Sequence, residues 1–246
     1  MSSPTWADGP WPLIETPSKT KDVSKHAAIY IANEMAFAHN SMLRGLNSIY
    51  LQANVSKPEG ISDFLFFIAA WAGWVSHHHV LEEEKMFPGF ERVIGISGLL
   101  GDNVDQHHAF QPLLKKLLTY AKETTPAEYN ASTVKGIIEE MAPPFREHLA
   151  HEIDSLSSME PYDGPALLQV YKECETEAGT QDKNVVPPMV LGLRDITFEG
   201  GNSWPAMPPM SAWFVHYIFA RKHAGAWRFL PCDTWGNPRP LAFVKP

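Results

Sequence analysis

The chain has 246 residues, long for one small domain and short for two full ones, so one core with an extension is expected. Hydrophobic residues make up 44%, which excludes wholesale disorder, and a formal net charge of -8 without any Lys/Arg run argues against nucleic-acid or anionic-membrane binding. Cys174 and Cys232 form no CxxC pair, which excludes a thiolate metal site and fits a reducing compartment.

The N-terminus shows no basic segment followed by an apolar one, so no secretory signal is expected. The apolar stretch Phe64 to Val75, about twelve residues, is short for a bilayer span. A soluble, cytoplasmic protein is the expectation.

Residues 1–21 carry Pro4, Pro10, Pro12 and Pro17 and read as an irregular N-terminal arm. Apolar residues then recur at helical spacing in four runs, from Asp22 to about Gly60, Ile61 to about Phe90, Gly98 to about Glu123 and Pro126 to about Met159. Four helices with short links predict an all-α fold, an up-down-up-down four-helix bundle over residues 22–160. Pro112 and the Pro143–Pro144 pair predict bends, because an interior proline removes a backbone hydrogen bond. Residues 161–246 form a C-terminal extension. One short helix is expected over 163–180; the rest, rich in Pro and Gly and then in tryptophan, is expected to be mostly irregular and to cover the bundle.

Within the second run lies HHHVLEEEKMFP, residues 77–88, three histidines ahead of three glutamates. At about 100° per residue, His78 shares its face with Phe64, Phe67, Trp71, Trp74 and Val75 behind it and with Glu82 and Met86 ahead. His79 and Glu83 sit on the flank of that stripe; His77 and Glu84 fall well off it. His79/Glu83 therefore remains a rival to His78/Glu82 as the inward pair.

The other runs repeat the pattern. His39 shares its face with Ala32, Met35, Met42 and Leu46; His107 with Leu100, Phe110 and Leu114; His148 with Ile137, Met141 and Phe145, and with Glu152 one turn on. A lone histidine on an apolar face is usually a core residue. Four on four helices, two of them with a glutamate at i+4, are a different proposition. A buried, unpaired carboxylate costs several kcal/mol, and a divalent cation relieves that cost. Six side chains exceed a tetrahedral zinc site, so two metals are the natural count. Imidazole and carboxylate without thiolate suit iron or manganese, and zinc also fits. His26, His216 and His223 show no partner pattern.

These residues resemble the hemerythrin-like family, the HHE cation-binding domain. The likeness rests on AHNSMLRGL around His39, on HHHVLEEEKMFP, on QHHAFQPLL and on HLAHEID, and it covers roughly residues 25–160. It implies a four-helix bundle holding two non-haem iron ions (Fe2+/Fe3+) with a bridging oxo or hydroxo group. It places ligands at His39, His78, Glu82, His107, His148 and Glu152. The family's glutamate stands six residues before the proline of its FP ending, which here selects Glu82 and hence His78. That makes four histidines and two carboxylates, against five and two in oxygen-carrying members. The pattern is closer to the iron- and oxygen-sensing domain of an F-box protein, and the aromatic tail is similar to tails of fungal HHE-domain proteins.

His79, Glu83 and His151 are candidates for supporting the ligands, and no separate catalytic residue stands out. The expected function is O2 binding at a di-iron centre with oxidation or oxygenation of a small organic substrate. The alternative is a non-enzymatic protein that binds, stores or senses iron, O2 or NO.

Overall fold

The computed structural model describes residues 6–208 and 210–244. Residues 1–5, including Pro4 of the expected arm, lie outside the described residues. Helices form where the apolar spacing is helical: α1 over Ala27–Gln52, α2 over Pro58–Leu81, α3 over Phe87–Ile94, α4 over Gly101–Glu123 and α5 over Ala131–Ser157. Local chemistry sets their ends. His26 Nδ1 caps α1 by accepting from the Ala28 amide, and Asn130 Oδ1 caps α5 by accepting from Ser132 and Thr133. Gly95, at φ 78°, closes α3 in the left-handed conformation.

Between α2 and α3 the helix does not break. It loosens into one π-helical turn over Glu82–Met86, so the second expected run is one continuous rod with a wide turn inside it. By length and mean hydropathy the rod Pro58–Ile94 would suffice to cross a membrane, but Phe64, Phe67, Trp71 and Phe90 bury its apolar face inside the bundle. Pro112, Pro143 and Pro144 do not divide their helices; α4 and α5 run through them without interruption.

The bundle closes unevenly. α1 packs on α5, α5 on α4 and α4 on α2, but α1 and α2 meet only lightly. The extension covers that seam. It holds three helices, α6 over Gly164–Ala178, α7 over Val186–Leu193 and α8 over Ser211–Tyr217, so α7 and α8 add to the single short helix expected. Pro187 and Pro188 lie in the first turn of α7, where a proline costs no intrahelical bond; they therefore start a helix rather than prevent one. α6 and α7 lie against α1, and a 3-10 turn over Ala226–Phe229 lies against α2. Phe229, fully buried, packs its ring near Phe64 and Phe67, and its carbonyl accepts from Ser48 Oγ at 2.5 Å and Gln52 Nε2 at 2.8 Å. The arm is pinned to α1 from another side: Asn40 and Asn47 exchange hydrogen bonds with the backbone of Ala7, Trp11 and Ile14.

Where α1 and α2 do touch, Trp71 sits over Gly45 and donates from Nε1 to the Met42 carbonyl at 3.1 Å. A Cβ on Gly45 would overlap the Trp71 ring. Gly45→Ala is expected to lower stability by about 1–3 kcal/mol through overpacking, measured by urea unfolding; an unchanged midpoint would show that the ring yields freely.

Candidate metal centre

Five imidazoles and two carboxylates meet in the bundle interior. His39 comes from α1, His78 and His79 from α2, Glu82 from the first residue of the π turn, His107 from α4, and His148 and Glu152 from α5. All are buried except His78, whose side chain keeps 18% exposure. Their ligand atoms form two overlapping groups able to hold a metal ion: His79, Glu82, His107 and His148, and His39, His78 and Glu82. Glu82 reaches both, with Oε1 2.7 Å from His78 Nε2 and Oε2 3.6 Å from His107 Nε2. Glu152 does the same across the other edge: Oε2 lies 3.3 Å from His39 Nε2 and 3.6 Å from His148 Nε2.

The outer nitrogens fix how the rings face. Nδ1 donates to the Leu149 carbonyl in His39 (2.8 Å), to the Val75 carbonyl in His79 (2.9 Å), to Glu83 Oε1 in His107 (2.6 Å) and to Gln106 Oε1 in His148 (3.3 Å). A neutral ring with its proton on Nδ1 presents a bare Nε2 lone pair to the interior. His107 Nε2 and His148 Nε2 then lie 3.0 Å apart, lone pair to lone pair. His39, His78 and His79 each leave Nε2 without a hydrogen bond, and so do both oxygens of Glu82 and of Glu152. Seven buried polar atoms aimed at one interior volume without partners are not a tolerable core; they are the donor set of a cation site, and the residues present fit one.

The electrostatics agree. Burial lowers the pKa of His78 to about 4, against the pull of Glu152. His79 is pushed well below the usual histidine range by burial and by neighbouring imidazoles, and His148 by burial despite Glu152. His107 is lowered by burial, with Glu83 opposing. These rings are neutral at pH 7 and ready to ligate without first losing a proton. Burial, with the charge of Glu152, raises Glu82 well above the carboxylate range; Glu152 is lowered, since His39 and the other imidazoles outweigh its burial. The two carboxyl groups are pushed in opposite directions, as expected of two acids sharing a site.

A family model described as hemerythrin HHE cation binding domain matches residues 31–159. The chain belongs to this family. Domains of the hemerythrin HHE family bind metal cations, and the cluster above is where this chain can do so. It is also 35% identical, over 97% of its length and 93% of the relative's, to "Dimeric xanthone biosynthesis cluster protein R11" of Cryptosporiopsis sp. (strain 8999). No solved structure matches the chain significantly.

The six sequence-derived ligand candidates, His39, His78, Glu82, His107, His148 and Glu152, all lie in this one cluster. His79 belongs there too, as a fifth histidine inside rather than a supporting residue outside. Face geometry offered His78 or His79 as alternatives, but the inward arc of a helix is about 100° wide, and two neighbours at its edges can each serve one half of a broad site. The adjacent His78–His79 pair is the signal for this in the sequence. Glu83 stands behind His107, held by Gln111 Nε2 at 2.8 Å. His151 is half-buried and outside both groups, with Nδ1 unpartnered. Phe110 and Phe145 pack on His79 and close the inner end of the hemerythrin centre with apolar rings.

Its other side is open. A cavity of about 750 Å3 lies along the α1–α2 seam, with His78 and Glu82 in its wall. α1 contributes Glu34, and α6, α7 and residues 204–208 of the extension supply the remaining walls. Burial, with the charge of Glu175, raises Glu34 from 4.5 to about 7. A pKa raised in the folded state contributes stability that is complete below the unfolded value of 4.5 and is lost as pH rises through about 7. Glu34→Gln should therefore gain stability over the parent as pH is raised from about 5 to about 8, followed by chemical denaturation; a gap that stays constant over that window would place the Glu34 carboxyl in water.

Proposed function

We propose that the chain holds two cations, iron first among them, and uses O2 on a small organic substrate admitted through the seam cavity. One cation would take His39 and His78, the other His79, His107 and His148, with Glu82 and Glu152 each reaching both. The observation that carries this is the set of unpartnered inward Nε2 and carboxylate atoms with a cavity against one half of it. Bound iron would supply Lewis acidity and electrons for O2 chemistry; manganese and zinc suit the same ligands, and zinc would supply only the first.

The chain's own residues supply the rest. The Nδ1 hydrogen bonds to Leu149, Val75, Glu83 and Gln106 lock four ring orientations. Phe110 and Phe145 keep water from the three-histidine half. The other half meets the cavity through His78, so a substrate approaches from that side. Burial favours a proton on Glu82, and cation entry would displace it. A cavity of this volume lies within the ~300–1,000 Å3 range of small-molecule sites, which favours a substrate-using protein over a carrier or sensor. The relative's place in a biosynthesis cluster supports the same reading.

Iron-reconstituted protein should contain two metal ions per chain by elemental analysis. His39→Ala, His79→Ala and His148→Ala should each lose metal, while His77→Ala, half-buried and outside the cluster, should keep it. Loss of metal from His77→Ala equal to the other three would overturn the assignment. Reversible O2 binding with no net O2 consumption in the presence of any reductant would remove the enzymatic part and leave a binding protein.

A further inference from the structure

The cavity walls carry information about what they hold. Trp74, Trp204 and Tyr171 line it, together with the thioethers of Met35, Met86 and Met207, which adapt to flat and irregular apolar shapes. Trp204 is held in place from the extension: its ring stacks on Phe37 at 6.4 Å, and its carbonyl accepts from Arg194 Nη1 at 2.9 Å. Among the described residues, neither Lys nor Arg lines the cavity. The wall's acidic groups beyond Glu82 are Glu34 and Glu175, and they are not equivalent. Glu175 pairs with Lys172 Nζ at 2.5 Å, so its charge is already matched. Glu34, half-buried, makes no hydrogen bond or ion pair to any described residue, so its hydrogen-bonding capacity is left for whatever enters.

We propose that this cavity binds a neutral, planar, hydroxylated aromatic molecule, with a ring hydroxyl on Glu34 and its rings against Trp74 and Trp204. An anion would meet carboxylates and no cation there, which disfavours it. A cation would need a full counter-charge; Glu175 has spent its own on Lys172, and burial leaves Glu34, raised to about 7, only partly ionised near pH 7. A hydroxyl suits Glu34 in either state, since a phenol both donates and accepts. The proposal deepens the reading above by naming the substrate class of the same site, but binding in the cavity does not require the cations.

The test is calorimetric titration of the full-length protein, as purified and after chelation, with metal content measured on the same samples. Four probes share one ring frame: 2-naphthol, naphthalene, 2-naphthoate and 2-naphthylmethylammonium. 2-Naphthol should bind at least about tenfold more tightly than the two charged probes in both samples. Glu34→Leu should weaken 2-naphthol about tenfold and leave naphthalene unchanged, Glu34→Gln should retain 2-naphthol, and Trp204→Ala should weaken both. Tightest binding of the carboxylate or the ammonium, or affinities unmoved by Glu34→Leu and Trp204→Ala, would overturn the proposal; the latter result would mean a phenol bound to the metal centre alone. Preserved 2-naphthol binding in protein that never takes up metal would sink the two-cation reading and leave this one standing.

Discussion

Two carboxyl groups sealed among buried imidazoles are the constraint on which this fold turns. Glu82 and Glu152 are almost wholly inaccessible, and neither has a hydrogen bond to any of its oxygens. Ordinary cores pair such groups or omit them. Here four of the five rings turn Nδ1 outward to backbone and side-chain acceptors, so their Nε2 atoms face the interior. That arrangement is costly without positive charge and stable with it, which couples folding to cation binding in one step. The four long helices, one donor set on each, are the scaffold that makes the rings converge.

The uneven closure of the bundle gives the centre a direction. Because α1 and α2 meet only lightly, the half-site built on His39 and His78 lies beside a gap, while the half-site of His79, His107 and His148 lies under Phe110 and Phe145. The extension covers the gap without filling it, leaving a cavity whose walls come from both parts of the chain. Its anchoring is both apolar and polar: the Phe229 ring packs near Phe64 and Phe67, and Ser48 and Gln52 hold the Phe229 carbonyl. A bundle that would otherwise end at a binding site thus acquires a chamber.

What the sequence disclosed follows from the physics of single helices. His39 and His107 each stand on an apolar face, as do His148 and Glu152 together, and 3.6-residue periodicity is enough to aim them inward. His79 needed more, because periodicity ranks neighbours against each other and does not know that the cluster spans two overlapping ligand groups. The π turn at Glu82–Met86 lay beyond such reasoning as well, since no local residue choice announces it. The cavity, and Glu34 within it, depend on how α1 and α2 fail to close and on where residues 204–208 return, which are long-range facts. The helix α7 was hidden for a smaller reason, its paired prolines, which mark a start there instead of a stop.

The dependence of stability on metal is the most direct measurement of the central claim. Thermal unfolding of the parent and of the Glu82→Gln/Glu152→Gln double variant would be compared with iron bound and after chelation. The account predicts that chelation sharply destabilises the parent, and that the metal-free double variant is more stable than the metal-free parent, because two uncompensated acids have been removed. A parent equally stable with and without metal, and further destabilised by the double substitution when metal-free, would mean that those carboxylates are satisfied by the protein itself and would contradict it.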